Sequence, residues 1–297
     1  MSQVKELYSY PIKSCAGTSH QSVHIDAGRL AYDREWMLAD PQTSESLSQR
    51  KDPKLALVEP CIDTGRMLVT APGMDTLSVD LDDVDYPEVG TNVWGHEAPA
   101  IGQSEQASYW FSNYLERPVK LVRKSLNSGR LVTPARQITG AFNALAFADG
   151  APILLTTIPS LMRVNADNAQ PAFPMNRFRP NIVIDANDPE ELRPFDEDFW
   201  RKIEIAGIAL FIAWACTRCS IIETDQTTAI RGKTIFSILR DFRRGTDATD
   251  PGNRGVFFGQ NVVPAGEGII RIGDDVRLKE RAGKRNVLGL EELSQGY

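Results

Sequence analysis

The sequence has no long apolar run, few cysteines and no excess of basic residues. Its longest apolar stretch covers residues 205–216, whereas a membrane-spanning helix needs roughly 20 residues. The N-terminus carries neither an apolar signal segment nor an Arg-rich transit peptide, so we expect a cytoplasmic protein without a membrane span. Four cysteines in 297 residues are too few for a disulfide scaffold, which predicts that they are reduced.

The charge balance argues against a general nucleic-acid-binding protein. The formal net charge is −6 and the pI is near 5.3, whereas such proteins need a dense basic surface to displace phosphate counterions. A local basic pocket for one small anion is compatible with this charge. The chain is long enough to bury a large core, in two modest domains or in one large domain.

The hydrophobic pattern predicts a β-rich α+β fold, because many short strands and three or four helices follow one another without regular alternation. Residues 104–116 have helical spacing, residues 157–166 carry Pro159 in the first turn, and residues 234–243 have Thr234 as an expected N-cap. The predicted strands, rich in β-branched, aromatic and other apolar residues, are residues 22–26, 35–39, 55–58, 67–70, 181–185 and 203–214, with a strand-turn-strand unit at 269–276.

The sharpest local motif is Trp214-Ala215-Cys216-Thr217-Arg218-Cys219, for which three interpretations compete. A structural zinc site would need two more ligands, but Cys15 and Cys61 are isolated. A thioredoxin-like dithiol needs a helix after the first cysteine, whereas residues 220–224 form a β-branched run typical of a strand.

The third interpretation is a pair of reduced cysteines packed in the core, where free cysteine is common. Arg218 between the two cysteines weakens this interpretation, because arginine is rarely buried without an anionic partner. A thiolate beside a guanidinium is a soft ligand that suits a metal with several oxidation states.

Three blocks of sequence resemble the MOSC family, named for the C-termini of molybdenum-cofactor sulfurases, and in particular its amidoxime-reducing branch. They occur in the family's order and together extend over nearly the whole chain. The blocks are Tyr10-Pro11-Ile12-Lys13-Ser14-Cys15 with Asp33-Arg34-Glu35-Trp36; Asn176 to Ile184; and Cys216-Thr217-Arg218-Cys219 with Thr224-Asp225, Phe258-Gly259-Gln260 and Ile272-Gly273-Asp274.

The resemblance implies that Cys219 ligates the molybdenum of a cofactor with a single pyranopterin dithiolene. Asp149 lies in a stretch that resembles family sequence near the metal. Two roles are open for it: an acid that delivers protons, or a turn or N-cap residue. Cys216 is the less favoured of the two cysteines as a metal ligand and is expected to pack near the site. The family's cofactor contacts fall on Lys13, Ser14, Arg34, Arg179, Asn181, Thr217, Arg218 and, where relatives often have an aromatic residue, Asn261.

These residue types suit the cofactor, because lysine and arginine bind its terminal phosphate by charge-assisted hydrogen bonds. The resemblance implies an enzyme that removes oxygen from N-hydroxylated small molecules with electrons from a separate electron-transfer protein or reductase. A non-catalytic cofactor carrier, a sulfur-relay module and a metal-free β-rich binding protein are the alternatives.

The implied architecture is a mixed β-barrel with packed helices and a smaller inserted β-rich region. Residues 1–34 and 124–297 are expected to form the MOSC core, and residues 35–123 the insertion. This arrangement would bring Lys13 and Arg34 to Cys219 despite their separation in sequence.

Overall fold

The computed structural model describes residues 1–125, 128–166 and 172–289. Its α-helices are α1 (Glu105–Leu115), α2 (Ile158–Ala166) and α3 (Ile235–Arg243). In chain order the strands are β1 (Ser2–Ser9), β2 (Thr18–His20), β3 (Ser22–Asp26), β4 (Arg29–Leu30), β5 (Trp36–Ala39), β6 (Glu59–Asp63), β7 (Arg66–Thr70), β8 (Leu77–Asp80), β9 (Glu88–Val89), β10 (Asn92–Val93), β11 (His96–Glu97), β12 (Ala100–Gly102), β13 (Lys120–Lys124), β14 (Ile153–Thr157), β15 (Ile182–Ala186), β16 (Trp200–Ile205), β17 (Ile208–Thr217), β18 (Arg244–Asp247), β19 (Arg254–Pro264), β20 (Gly268–Arg271), β21 (Val276–Arg281) and β22 (Val287–Leu288). No helix of the described part is long and apolar enough to cross a membrane.

A large mixed sheet forms the centre of the fold, in the order β2-β1-β15-β14-β19-β17-β16-β21. Strands β14 and β15 are parallel, and the other neighbours in this path are antiparallel. Strand β1, the second strand of this path, contacts the turn before β21 at the opposite end. The Val4 amide donates to the Asp274 carbonyl at 3.0 Å, and the Gly273 amide donates to the Val4 carbonyl at 2.8 Å. An isolated antiparallel bridge joins Gln3 to Asp275, but β1 and β21 do not pair as strands, so the predicted barrel is not closed among the described residues.

Residues 36–124 build a second β-rich unit. The sheet β5-β13-β12-β9, the sheet β6-β7-β8 and the hairpin β10-β11 all lie within this range. Helix α1 packs on β13 and buries Phe111 against a core that also contains Trp36 and Leu121. Strand β1 instead pairs with β15 in the large sheet. We keep the division into residues 1–34 with 124–297 and residues 35–123 as a proposal that these pairings support.

All three helices predicted from the sequence are present. Ser104 caps α1, since its side chain accepts a hydrogen bond from the Ala107 amide at 3.2 Å. The predicted side-chain cap of Thr234 on α3 is wrong. The buried Glu223 carboxylate takes that place, accepting from the Thr234 amide at 3.0 Å and from the Phe236 amide at 2.7 Å.

Two strand predictions are wrong, and a third is confirmed only in part. Residues 55–58 fall largely in a 3-10 helix, Pro53–Leu57, whose first residue is a proline suited to a helix start. Residues 220–224 also begin with a 3-10 turn, Ser220–Glu223, but not with the α-helix that a redox dithiol requires. Residues 203–214 are split between β16 and β17, because the chain reverses at Ala206 and Gly207 with φ angles of 49° and 79°.

Candidate active site

A cavity of about 160 Å³ lies where the loops of the large sheet meet residues from the second unit. Its walls contain every site residue predicted from the sequence, although these residues come from six separate stretches of the chain. They are Lys13, Ser14, Arg34, Asp149, Arg179, Asn181, Thr217, Arg218, Cys219 and Asn261.

Three of these residues adopt a left-handed backbone conformation. The φ angles are 68° at Ser14, 50° at Arg34 and 56° at Arg179. Such angles are uncommon for residues other than glycine and persist where the surrounding structure holds them. Backbone hydrogen bonds hold two of them here, since the Arg34 amide donates to the Tyr10 carbonyl at 2.8 Å and the Arg179 amide donates to the Asn176 carbonyl at 3.2 Å.

The aromatic ring of Tyr10 lies between two guanidinium groups. The ring centroid is 4.4 Å from the Arg34 Cζ atom and 4.3 Å from the Arg179 Cζ atom. The Tyr10 hydroxyl donates to the Pro180 carbonyl at 3.0 Å. Burial raises the pKa of this hydroxyl well above its usual value, although both guanidiniums act in the opposite direction. The ring therefore keeps two cations close together on one wall of the cavity.

Asp33 and Asn181 form a buried hydrogen-bonded support behind Arg34. The Asn181 Oδ1 atom accepts from Arg34 at 2.9 Å and from the Leu154 amide at 3.0 Å. Its Nδ2 atom donates to Asp33 at 3.0 Å and to the Tyr8 carbonyl at 3.1 Å. The Asn181 amide is thus already paired within the protein, and it positions Arg34. The predicted contact between Asn181 and the cofactor stays a prediction.

Lys13 and Asp149 on the cavity wall form a second polar group together with Trp94. The buried Lys13 ammonium is ion-paired with the Asp149 carboxylate and also donates to the Phe147 carbonyl at 2.8 Å. Trp94, at the tip of the β10-β11 hairpin, donates its Nε1 proton to Asp149 at 2.8 Å. Burial lowers the pKa of Lys13, and the charge of Asp149 offsets part of this shift.

Enclosure acts to raise the pKa of the Asp149 carboxyl, but the Lys13 charge and the hydrogen bonds from Lys13 and Trp94 outweigh it and hold the pKa below its usual range. The side chain keeps 58% of its surface exposed, so the effect of enclosure is small beside that of the charged and hydrogen-bonded neighbours. Asp149 is therefore ionised at neutral pH. This charge state is unfavourable for the predicted role as a proton donor.

The two cysteines of the motif differ in their surroundings. The Cys216 Sγ atom accepts a hydrogen bond from Arg218 at 3.1 Å, whereas no hydrogen bond to the Cys219 thiol occurs within the described residues. Both thiols are free and half-buried. Arg218 also donates to the Phe178 carbonyl at 2.7 Å, but its buried Nε atom has no partner. Cys219 is therefore the thiol left available for a ligand.

The cavity is strongly cationic, although the whole chain is acidic. Five of its side chains are cations and one is an acid: Lys13, Arg34, Arg50, Arg179, Arg218 and Asp149. No group of three or more His, Cys, Asp and Glu side chains that could hold a metal occurs in the described ranges. The donor set thus fits a phosphorylated cofactor that brings most of its own metal ligands and takes one thiolate from the protein. It does not fit a zinc site built from protein ligands alone.

Sequence reasoning did not assign site roles to four side chains around the cavity: Tyr10, Asp33, Arg50 and Trp94. Tyr10 and Asp33 stand in the two N-terminal motif blocks, so their position beside assigned residues was an available signal. Arg50 lines the cavity and stacks on Trp94 at 4.2 Å from its ring centroid. No sequence pattern connects this pair to Cys219, because only the fold brings the hairpin tip to the cavity.

The fold and the site together define a β-rich α+β protein with a cationic cavity around one available thiol. Residues 1–118 match the MOSC N-terminal beta barrel domain, and residues 143–277 match the MOSC domain. The chain belongs to the MOSC family, which confirms the resemblance inferred from the motif blocks.

The relatives of this chain include two kinds of protein. The molybdenum cofactor sulfurase of Homo sapiens is 29% identical over 81% of this chain, which spans only 28% of that protein. Mitochondrial amidoxime-reducing component 1 of Mus musculus is 28% identical, with 93% of this chain and 82% of that protein covered. Mitochondrial amidoxime reducing component 2 of Macaca fascicularis is 26% identical over 92% of this chain and 82% of that protein.

Proposed function

We propose that this protein is a molybdenum-cofactor-dependent oxidoreductase that removes oxygen from N-hydroxylated small molecules, such as amidoximes, hydroxylamines and N-hydroxylated bases. One observation carries the proposal: a single available thiol, Cys219, shares a cavity with five cationic side chains. The extent of the match supports it as well, because the chain covers most of the amidoxime-reducing components and only part of the sulfurase.

Each group of residues has a role in this proposal. Lys13, Arg34 and Arg179 would bind the cofactor phosphate, and the unpartnered Nε atom of Arg218 would donate to the cofactor as well. Cys219 would ligate the metal as a thiolate. When bound, the cofactor would supply the two-electron chemistry of oxygen removal. Ser14, Thr217 and Asn261 would contribute neutral polar contacts.

The reaction consumes two electrons and two protons for each N–OH group and yields an N–H group and one water molecule. We propose that a separate electron-transfer protein or reductase delivers the electrons. The ionised Asp149 would hold Lys13 and Trp94 in place by its ion pair and hydrogen bond. The cytoplasmic location expected from the sequence remains part of the proposal.

Metal analysis of the wild type, Cys219→Ser and Cys216→Ser tests the proposal. We expect molybdenum in the wild type and in Cys216→Ser, because the Cys216 thiol already accepts a hydrogen bond from Arg218. We expect Cys219→Ser to lose benzamidoxime reduction with a chemical electron donor. Metal-free wild-type protein, or full activity in Cys219→Ser, would contradict the proposal.

A non-catalytic carrier of the cofactor, or a sulfur-relay module, is the second candidate. The match to the human sulfurase favours this candidate, since 81% of this chain aligns with a segment of that protein. This candidate predicts bound cofactor without any reduction of benzamidoxime, even with excess chemical donor. Turnover would exclude it.

A further inference from the structure

A second concave surface begins at Cys219 on the side of helix α3. This groove has a volume of about 600 Å³. Cys219 lines both the groove and the cationic cavity, so the two surfaces adjoin at this residue. Its volume falls in the range of pockets that hold small ligands, roughly 300–1,000 Å³. The half-buried ring of Phe236 contributes an apolar surface to the groove.

The charge of the groove wall favours an anionic ligand. Three exposed cations line it: Arg231, Lys233 and Arg240. None of them has an ion pair with an acidic side chain in the described residues. Arg231 is held in place, because it donates to the Gln49 carbonyl at 2.6 Å and to the Arg50 carbonyl at 3.0 Å.

Arg240 donates only to the Ser237 hydroxyl, at 3.2 Å, and the Lys233 ammonium makes no hydrogen bond within the described part of the chain. The one acid in the groove wall, Glu223, is buried and uses both carboxylate oxygens to cap α3. The groove thus carries three cations against one acid, in a protein whose net charge is −6.

We propose that the groove binds the anionic group of the substrate, a carboxylate or a phosphate, and that Phe236 contacts a flat part of the same molecule. A ligand held by Lys233 and Arg240 would extend along the groove toward Cys219, where its N–OH group would react. This inference rests on the proposed function and narrows its substrate class to N-hydroxylated compounds that carry a negative charge.

The same cations could attract an acidic electron-transfer protein, but the observations favour a small molecule. The charges line a concavity with an aromatic wall, and Arg231 is fixed by backbone carbonyls in advance of binding. Pre-organised polar groups around an apolar surface are typical of small-ligand pockets.

Two probes that differ by one carboxylate test the inference: benzamidoxime and 4-carboxybenzamidoxime. With a chemical electron donor, we expect Lys233→Gln to raise the KM of the carboxylate substrate about fivefold relative to that of benzamidoxime, the effect of one exposed ion pair of about 1 kcal/mol. Arg240→Gln should act in the same direction, and added salt should reduce the wild-type preference. Lys120→Gln on β13 is the matched control, because Lys120 is exposed and lies outside both surfaces.

Binding without turnover gives a second measurement. Calorimetry should show that 4-carboxybenzamidine binds more weakly to Lys233→Gln than to the wild type, with no such difference for benzamidine. Equal KM ratios and equal binding in the wild type and both variants would overturn the inference. So would a defect confined to turnover driven by an acidic ferredoxin, which would assign the groove to protein docking. If the wild type reduces neither probe, the proposed function fails, and calorimetry alone decides whether the groove binds anions.

Discussion

The ring of Tyr10 separates and holds two cations of the cavity, and this arrangement yields a quantitative prediction. Tyr10→Phe removes only the hydroxyl that donates to Pro180 and leaves a buried carbonyl unpaired, at a cost of about 1–3 kcal/mol in unfolding free energy. Tyr10→Leu also removes the ring contacts with Arg34 and Arg179. Each such contact contributes about 0.5–2 kcal/mol, so Tyr10→Leu should be roughly 1–4 kcal/mol less stable than Tyr10→Phe.

The two variants should also differ in their molybdenum content. Tyr10→Phe keeps the ring, so we expect it to retain molybdenum. In Tyr10→Leu the guanidiniums of Arg34 and Arg179 lose their common support and repel each other, so the metal content should fall.

Urea unfolding and metal analysis of both variants measure these effects. Tyr114→Phe serves as the control, because its hydroxyl also donates to a backbone carbonyl at 3.0 Å but lies away from the cavity, and its cost should stay within about 1 kcal/mol. The reasoning is refuted if Tyr10→Leu matches Tyr10→Phe in both stability and molybdenum content.

Three further predictions concern the core and the neighbourhood of Tyr10. Arg243→Leu should cost about 3–5 kcal/mol in urea unfolding, since it leaves the fully buried Asp198 carboxylate without its cation, and adding Asp198→Asn should restore part of the loss. Burial and the Asp198 charge raise the pKa of Glu197 to about 7 from a usual value of 4.5, so this group's contribution to the free energy of unfolding should be lost as the pH rises from about 4.5 to about 7. Glu197→Gln should flatten that decline, and a pH profile of stability identical to that of the wild type would contradict the prediction. Gly17→Ala would place a methyl group on the Tyr10 ring, so it should lower the molybdenum content, whereas an unchanged content would show that the ring can move freely.

Local patterns were sufficient for much of the secondary structure. Helix α1 could be predicted from the apolar spacing of residues 104–116, because this signal lies in the helix's own stretch of sequence. The prediction for residues 203–214 missed the reversal between two strands, because the two turn residues Ala206 and Gly207 carry little weight inside a long apolar run. The cap of α3 was also missed, since Glu223 lies eleven residues before Thr234 and reaches the helix only through the intervening turns.

The sequence by itself determined the family, because the motif blocks preserve residue types and their order along the chain. It also identified side chains that line one cavity, as Lys13, Arg34 and Cys219 do. Only the tertiary structure decided how these groups are used. The insertion of Tyr10 between two guanidiniums and the contact of Trp94 with Asp149 join residues far apart in sequence, and such contacts depend on how loops pack and not on local preference.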